Sequence, residues 1–122
     1  MAHILVVDDE ESIRALIKEV LSSLSCTFDE AGNGSEALEK LRQGKYDLVI
    51  MDRNMPTMTG IQALSILRAN PQFKALKVIM CTSSSVTKEV DEAFEAGASD
   101  YVLKPLNLQI LIKKVQKALG LS

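Results

Sequence analysis

Five times along this chain a short apolar run gives way to a segment with helical spacing, and the connections between them are short. Such regular alternation calls for parallel strands joined by right-handed crossovers, with helices on both faces of one sheet. The first run, His3 to Val7, is β-branched and apolar and stops at Asp8-Asp9-Glu10. Ile13, Leu16, Ile17, Val20, Leu21 and Leu24 then recur at i, i+3, i+4 and i+7, the inward stripe of an amphipathic helix. Cys26 to Ala31 is a weaker strand with Phe28 as its main apolar member, which places it near a sheet edge. After Gly32-Asn33-Gly34, the pair Asn33 and Glu36 has capping-box spacing, and a helix follows through Ala37, Leu38 and Leu41 to Gly44.

The third strand, Tyr46 to Met51, holds the continuous apolar run Leu48-Val49-Ile50-Met51 expected of a strand buried on both faces. It ends at Asp52 and a proline-containing turn. Thr59 and Gln62 repeat the capping-box spacing, and Ile61, Leu64 and Leu67 carry the next helix until Pro71. Lys77 to Cys81 is a fourth strand that runs into Thr82-Ser83-Ser84-Ser85. Val90, Ala93, Phe94 and Ala96 belong to a fourth helix with Gly97 as its cap. Ser99 to Leu103 is the last strand, broken by Lys104-Pro105. Leu108, Leu111, Ile112, Val115 and Leu119 mark the last helix, where Lys113, Lys114 and Lys117 suit the negative end of the helix dipole. Ile110 falls off that stripe and is a candidate for a partner surface.

Composition bounds the function. The 122 residues form one domain, 1–122, and the net charge of −2 argues against a basic nucleic-acid-binding surface. No apolar run approaches the ~20 residues that span a bilayer, and no signal core precedes the first acids, so a cytoplasmic protein is expected. Cys26 and Cys81 have neither CxxC spacing nor neighbouring histidines, and both are expected as reduced, buried thiols. His3 is expected to be structural.

In a parallel sheet every strand points the same way, so residues that leave the strands at their carboxyl ends meet along one edge, where ligands of open α/β sheets bind. Asp8 and Asp9 leave the first strand, Asp52 the third, Thr82 the fourth and Lys104 the fifth. Carboxylates gathered in one cleft repel and need a cation to stay ionised. Oxygen-only ligands favour Mg²⁺ over zinc, and Mg²⁺ also offsets charge that develops in phosphoryl transfer. Lys104 suits a phosphate oxygen and the Thr82 hydroxyl can donate to another, which leaves Asp52 as the nucleophile.

The motifs LVVDD at Leu5 to Asp9, DRNMPTMTG at Asp52 to Gly60, Thr82, and EAGASDYVLKP at Glu95 to Pro105, with their spacings, resemble response-regulator receiver domains, in particular the single-domain receivers of chemotaxis. The resemblance implies a flavodoxin-like (βα)5 doubly wound parallel sheet in strand order 2-1-3-4-5. It implies phosphorylation of Asp52 by a sensor histidine kinase or a small phosphodonor. Asp9, Asp52 and the Asn54 carbonyl would ligate Mg²⁺, with Asp8 acting through water. Thr82 and Tyr101 would form a switch pair, Lys104 would contact the phosphoryl group, and Lys104-Pro105 would be cis. The switched surface would be the fourth helix, fifth strand and fifth helix.

The implied partners are the kinase and a downstream target or a linked output domain, with the receiver a monomer or a phosphorylation-dependent dimer. Its own chemistry would be confined to forming and losing the acyl phosphate, so it is not expected to be an enzyme in the ordinary sense. Thr59 replaces an acid of the chemotaxis receivers, and Leu106 a common Phe. The resemblance implies that Asn54, Ser83 and Ser84 occupy positions the family uses to tune loss of the phosphoryl group. Three other readings compete. A receiver-like interaction domain would bind its partner irrespective of Asp52. An aspartyl phosphatase or mutase would want a second acid where Asn54 stands, and a cap domain. A flavin-binding relative would want a Ser/Thr/Gly-rich loop where Asp8-Asp9-Glu10 stands.

Overall fold

The computed structural model describes residues 1–83 and 86–121. Strands β1 (Ala2–Val7), β2 (Cys26–Ala31), β3 (Leu48–Asp52), β4 (Lys77–Thr82) and β5 (Asp100–Leu103) alternate with helices α1 (Glu11–Leu21), α2 (Gly34–Gln43), α3 (Gly60–Ala69), α4 (Thr87–Glu95) and α5 (Leu108–Ala118). All strands are parallel and lie in the order β2-β1-β3-β4-β5. The weakly apolar β2 is an edge strand, and the uniformly buried β3 is the centre.

Side-chain alternation divides the core into two layers. Leu5 and Val7, Val49 and Met51, and Val78 and Met80 face one way, against Leu38, Leu41, Leu64, Leu67 and Ala93 of α2, α3 and α4. Ile4 and Val6, Leu48 and Ile50, and Ile79 and Cys81 face the other way, against Ile17 and Leu21 of α1 and Leu111 and Val115 of α5. Each fully buried Leu or Ile contributes roughly 2 kcal/mol, so the central strands have to be apolar on both faces.

Local signals place the helices. Thr59 and Gln62 form a complete capping box, the Thr59 hydroxyl accepting from the Gln62 N–H and the Gln62 side chain accepting from the Thr59 N–H. Asn33 accepts from the Glu36 N–H, but Glu36 reaches one residue further back, to the Gly32 N–H. At Gly60 the start of α3 passes so close to β3 that a Cβ would lie 2.3 Å from the Asp52 carbonyl oxygen. Gly97 ends α4 with φ of +108°, a conformation that favours glycine.

Several expectations are corrected. Leu16 and Leu108 are exposed rather than inward-facing. On α1 the buried pair is Ile17 and Leu21, one i, i+4 row, and Leu16 lies about 100° round the helix from Ile17. Leu24 falls in a short 3₁₀ turn after α1. Tyr46 precedes β3; its ring stacks on His3 and its hydroxyl donates to Asp29. Of the last helix's lysines only Lys117 lies in the final turn, while Lys114 is engaged with Asp100 and Tyr101. Both thiols are free, as expected, but Cys26 on the edge strand is only half-buried.

Candidate functional site

The carboxyl ends of β1, β3, β4 and β5 bring together the residues that the sequence singled out. Asp8 follows β1 directly, and its own N–H is held by the Ala31 carbonyl of β2 at 3.1 Å. Its side chain is only 1% exposed. Asp52 is the last residue of β3, paired in register with Cys81, and is 5% exposed. Thr82 ends β4, equally buried, and its carbonyl accepts from the Lys104 N–H at 2.8 Å. That bond holds the start of the Lys104-Pro105 turn beside β4, and the peptide between those two residues is cis, as the resemblance implied.

The Lys104 ammonium is the hub. Its Nζ lies 2.8 Å from Asp8 Oδ2 and 3.4 Å from Asp52 Oδ2, so one cation serves two buried acids. The other Asp8 oxygen accepts from the Glu10 N–H at 2.9 Å. The other Asp52 oxygen has a longer contact, 3.3 Å, with the Asn54 N–H. Electrostatics follow from this sharing. Burial first, and the Asp8 charge second, push the Asp52 pKa above the usual carboxylate range, against the opposing pull of Lys104 and the Asn54 N–H. Burial acts to lower the Lys104 pKa, but the hydrogen bond it donates to Asp8 and the charges of both acids outweigh it, and the net shift is upward.

Asp9 and Asn54 are exposed at the rim. Carboxylate oxygens of Asp8, Asp9 and Glu10 can all lie within 4.8 Å of one another, a grouping that could hold a cation. Glu10 was not among the residues picked out from the sequence; its position next to the acidic pair was the available signal, but it read equally well as the first turn of α1. The donor set is all oxygen and anionic, and the one cation that touches both the Asp8 and Asp52 carboxylates among the described residues is shared between them. Those features fit a hard divalent ion such as Mg²⁺.

Tyr101 lies one strand beyond β4, paired with Met80 rather than with Thr82. Its ring is half-buried, edge-on to Phe94 at 5.7 Å, with the Lys114 ammonium 4.6 Å above its centre. With Leu103, Pro105 and the exposed Ile110 it lines a shallow depression of about 260 Å³. The sequence reading missed Arg53, whose side chain crosses from the Asp52 loop to α4. Ser83 is exposed beside Thr82, and the tuning role implied for Ser84 falls outside the described residues.

Residues 4–116 match the family of response regulator receiver domains. The chain belongs to that family. This receiver is 41% identical to the chemotaxis protein CheY of Pseudomonas aeruginosa over 115 residues, 93% of each chain. It is 37% identical to CheY-3 of Vibrio cholerae, over 93% of this chain and 88% of that one. Among solved structures it is similar to CheY4 of Vibrio cholerae, with a TM-score of 0.91 and 33% identity over 97% of this receiver and 98% of that chain. It is also similar to the response regulator TrrA of Thermotoga maritima in complex with Mg²⁺-BeF. There the TM-score is 0.86 and the identity 41%, over 97% of this receiver and 99% of TrrA. The receiver is thus a CheY-like domain of two-component signalling, and no helix among its described residues is long and apolar enough to cross a membrane.

Proposed function

We propose that this receiver accepts a phosphoryl group on Asp52 from a sensor histidine kinase or a small phosphodonor, and uses it to change a partner-binding surface. The observation that carries the reading is the single Lys104 ammonium shared by two buried carboxylates at adjoining strand ends. An Asp52 oxygen attacks phosphorus; the new bond is O–P, and the bond that breaks is the P–N bond of a phosphohistidine or the P–O bond of an acyl phosphate. The leaving imidazole or carboxylate takes the electron pair. Burial of Asp52 keeps water from competing for its lone pairs and raises its basicity.

Lys104 is released from its pairing with Asp52 by the transfer and becomes the counter-charge of a phosphoryl oxygen. Thr82, at the end of the neighbouring strand, supplies a hydroxyl for another. Asp9, Asp52 and the Asn54 carbonyl would hold Mg²⁺, with Asp8 acting through water, and the ion would neutralise charge on the transferring group. The TrrA relative solved with Mg²⁺-BeF supports that assignment. Thr82 and Tyr101 would pass occupancy of the site to the surface of α4, β5 and α5, where a target or a linked output domain would bind.

Incubation with acetyl phosphate and Mg²⁺ should add one phosphoryl mass to wild type and none to Asp52→Asn, and beryllofluoride should shift Tyr101 and Thr82 resonances. Equal labelling of both proteins would place the acceptor elsewhere. Target binding that ignores both Mg²⁺ and Asp52→Asn would instead make this a phosphorylation-independent interaction domain.

A further inference from the structure

Arg53 follows the proposed acceptor directly in the chain, and the chemistry above makes no use of it. Its backbone belongs to the acceptor loop. The Arg53 N–H donates to the Cys81 carbonyl at 2.8 Å, and its own carbonyl accepts from the Gly60 N–H at 2.9 Å. The side chain leaves that loop altogether. Nη1 donates to the Glu89 carbonyl of α4 at 2.8 Å, and Nη2 donates to Glu92 Oε2, also at 2.8 Å. The Arg53 side chain is 14% exposed, far more enclosed than an ordinary surface arginine, while its Glu92 partner keeps an open side to solvent. A guanidinium is a rigid planar fork, so gripping a carbonyl and a carboxylate about one turn apart fixes both the height and the rotation of the helix it holds.

α4 is a helix that needs such a grip. It has nine residues, of which Ala93 alone is buried, and Val86 stands at its cap position with a side chain that cannot accept a hydrogen bond. A helix this short is marginal in isolation, so its place on the sheet has to come from tertiary contacts. Phe94, the largest apolar side chain on it, is exposed and leans on Tyr101 rather than entering the core.

We propose that Arg53 is a positioning residue that ties α4 to the acceptor loop, so that the local stability of α4 follows the main chain at residues 52–54. The tether exists at rest, and it rests on the reading of Asp52 only for its trigger, a group bonded to Asp52 that shifts the peptide from which Arg53 extends. This route runs from β3 to α4 over the edge of the sheet through the Arg53 side chain, and uses neither the Thr82 hydroxyl nor the Tyr101 ring. A salt bridge that merely stabilised the fold would act differently, since its loss would lower the stability of every element together.

Amide hydrogen exchange across the whole domain separates these two roles. In Arg53→Gln, exchange of the amides of α4 is expected to quicken about tenfold, the loss of a charge-assisted hydrogen bond or two, with β3 and β4 amides unchanged. Glu92→Gln should quicken them less, because the contact with the Glu89 carbonyl remains, and Arg53→Lys should recover part of the protection. Wild type with beryllofluoride and Mg²⁺ should show altered α4 protection, and in Arg53→Gln that change should fall to half or less while the adduct still forms. Exchange of α4 in Arg53→Gln equal to wild type overturns the tether, and so does a uniform loss of protection over all elements. If wild type takes up no beryllofluoride, the phosphoacceptor reading fails, and the resting exchange rates still decide the tether.

Discussion

Replacing Asp52 by asparagine should make the folded domain more stable when divalent metal is absent. The carboxylate is 5% exposed and shares its cation with Asp8. Because both acids touch one nitrogen, their nearest oxygens are at most about 6 Å apart, and at an effective dielectric of ~20 they repel by about 3 kcal/mol. Attraction between Asp52 and Lys104 across 3.4 Å is worth about 5 kcal/mol on the same scale. The surplus of about 2 kcal/mol must meet a desolvation cost of several kcal/mol for a buried ion. The upward pKa of Asp52, with burial as its first cause, says that the cost wins. Asparagine keeps the shape, sheds the charge, and should gain roughly 1–2 kcal/mol at pH 7.

The pH dependence carries the sign. A carboxylate whose folded pKa lies above its unfolded one binds protons more tightly in the native state. The wild type therefore loses stability as pH rises through the window between the ordinary carboxylate pKa of about 3.9 and the raised one, and the deficit is constant above it. The advantage of Asp52→Asn should be full near neutrality and should fade below about pH 4. Added Mg²⁺ at ten times its Kd should return about 1.4 kcal/mol to wild type and less to the variant. Urea denaturation in EDTA, repeated at several pH values and then with Mg²⁺, measures all of this. An Asp52→Asn protein less stable than wild type at pH 7 in EDTA, or a difference that ignores pH, would refute the reasoning.

Gly60→Ala should cost about 3 kcal/mol in urea denaturation and slow phosphorylation of Asp52, because the new Cβ would sit 2.3 Å from the Asp52 carbonyl oxygen and 2.6 Å from Met80 Cε; a wild-type melt would mean that the loop yields freely. Thr59→Ala removes half of the capping box on α3 and should lower stability by about 1 kcal/mol, or Tm by roughly 4 °C, in a thermal melt followed by circular dichroism. Cys81, buried with its thiol pKa pushed up to about 12, should resist a thiol reagent at pH 8 until the domain unfolds, whereas half-buried Cys26 should react first; modification of Cys81 at the faster rate would contradict the packing of β4.

Much of the fold was legible because parallel strands buried on two faces must be apolar throughout, and Leu48 to Met51 and Val78 to Cys81 announce that directly. The site was legible for a related reason. A charged residue that ends such a run has little choice but to stand at the sheet edge, which is where Asp8, Asp52 and Lys104 meet. Periodicity does not order strands, and the arrangement β2-β1-β3-β4-β5 was available only through the family resemblance. Periodicity also sets the width of a helix stripe better than its centre, so Leu16 and Leu108 were placed inward when they face out. Arg53 was silent because its partners on α4 lie more than thirty residues on, and nothing local in a sequence records such a contact.

The register of β3, β4 and β5 has a further consequence. Asp52 sits opposite Cys81, and Tyr101 is opposite Met80, the residue before it, so Asp52 and Tyr101 are separated by the width of a single intervening strand. Adjacent strands are ~4.8 Å apart, which makes the span about 10 Å across the ladder. A message carried along a polypeptide would cross many soft torsions over that distance. Carried sideways, it meets only two rows of backbone hydrogen bonds between Asp52 and β5.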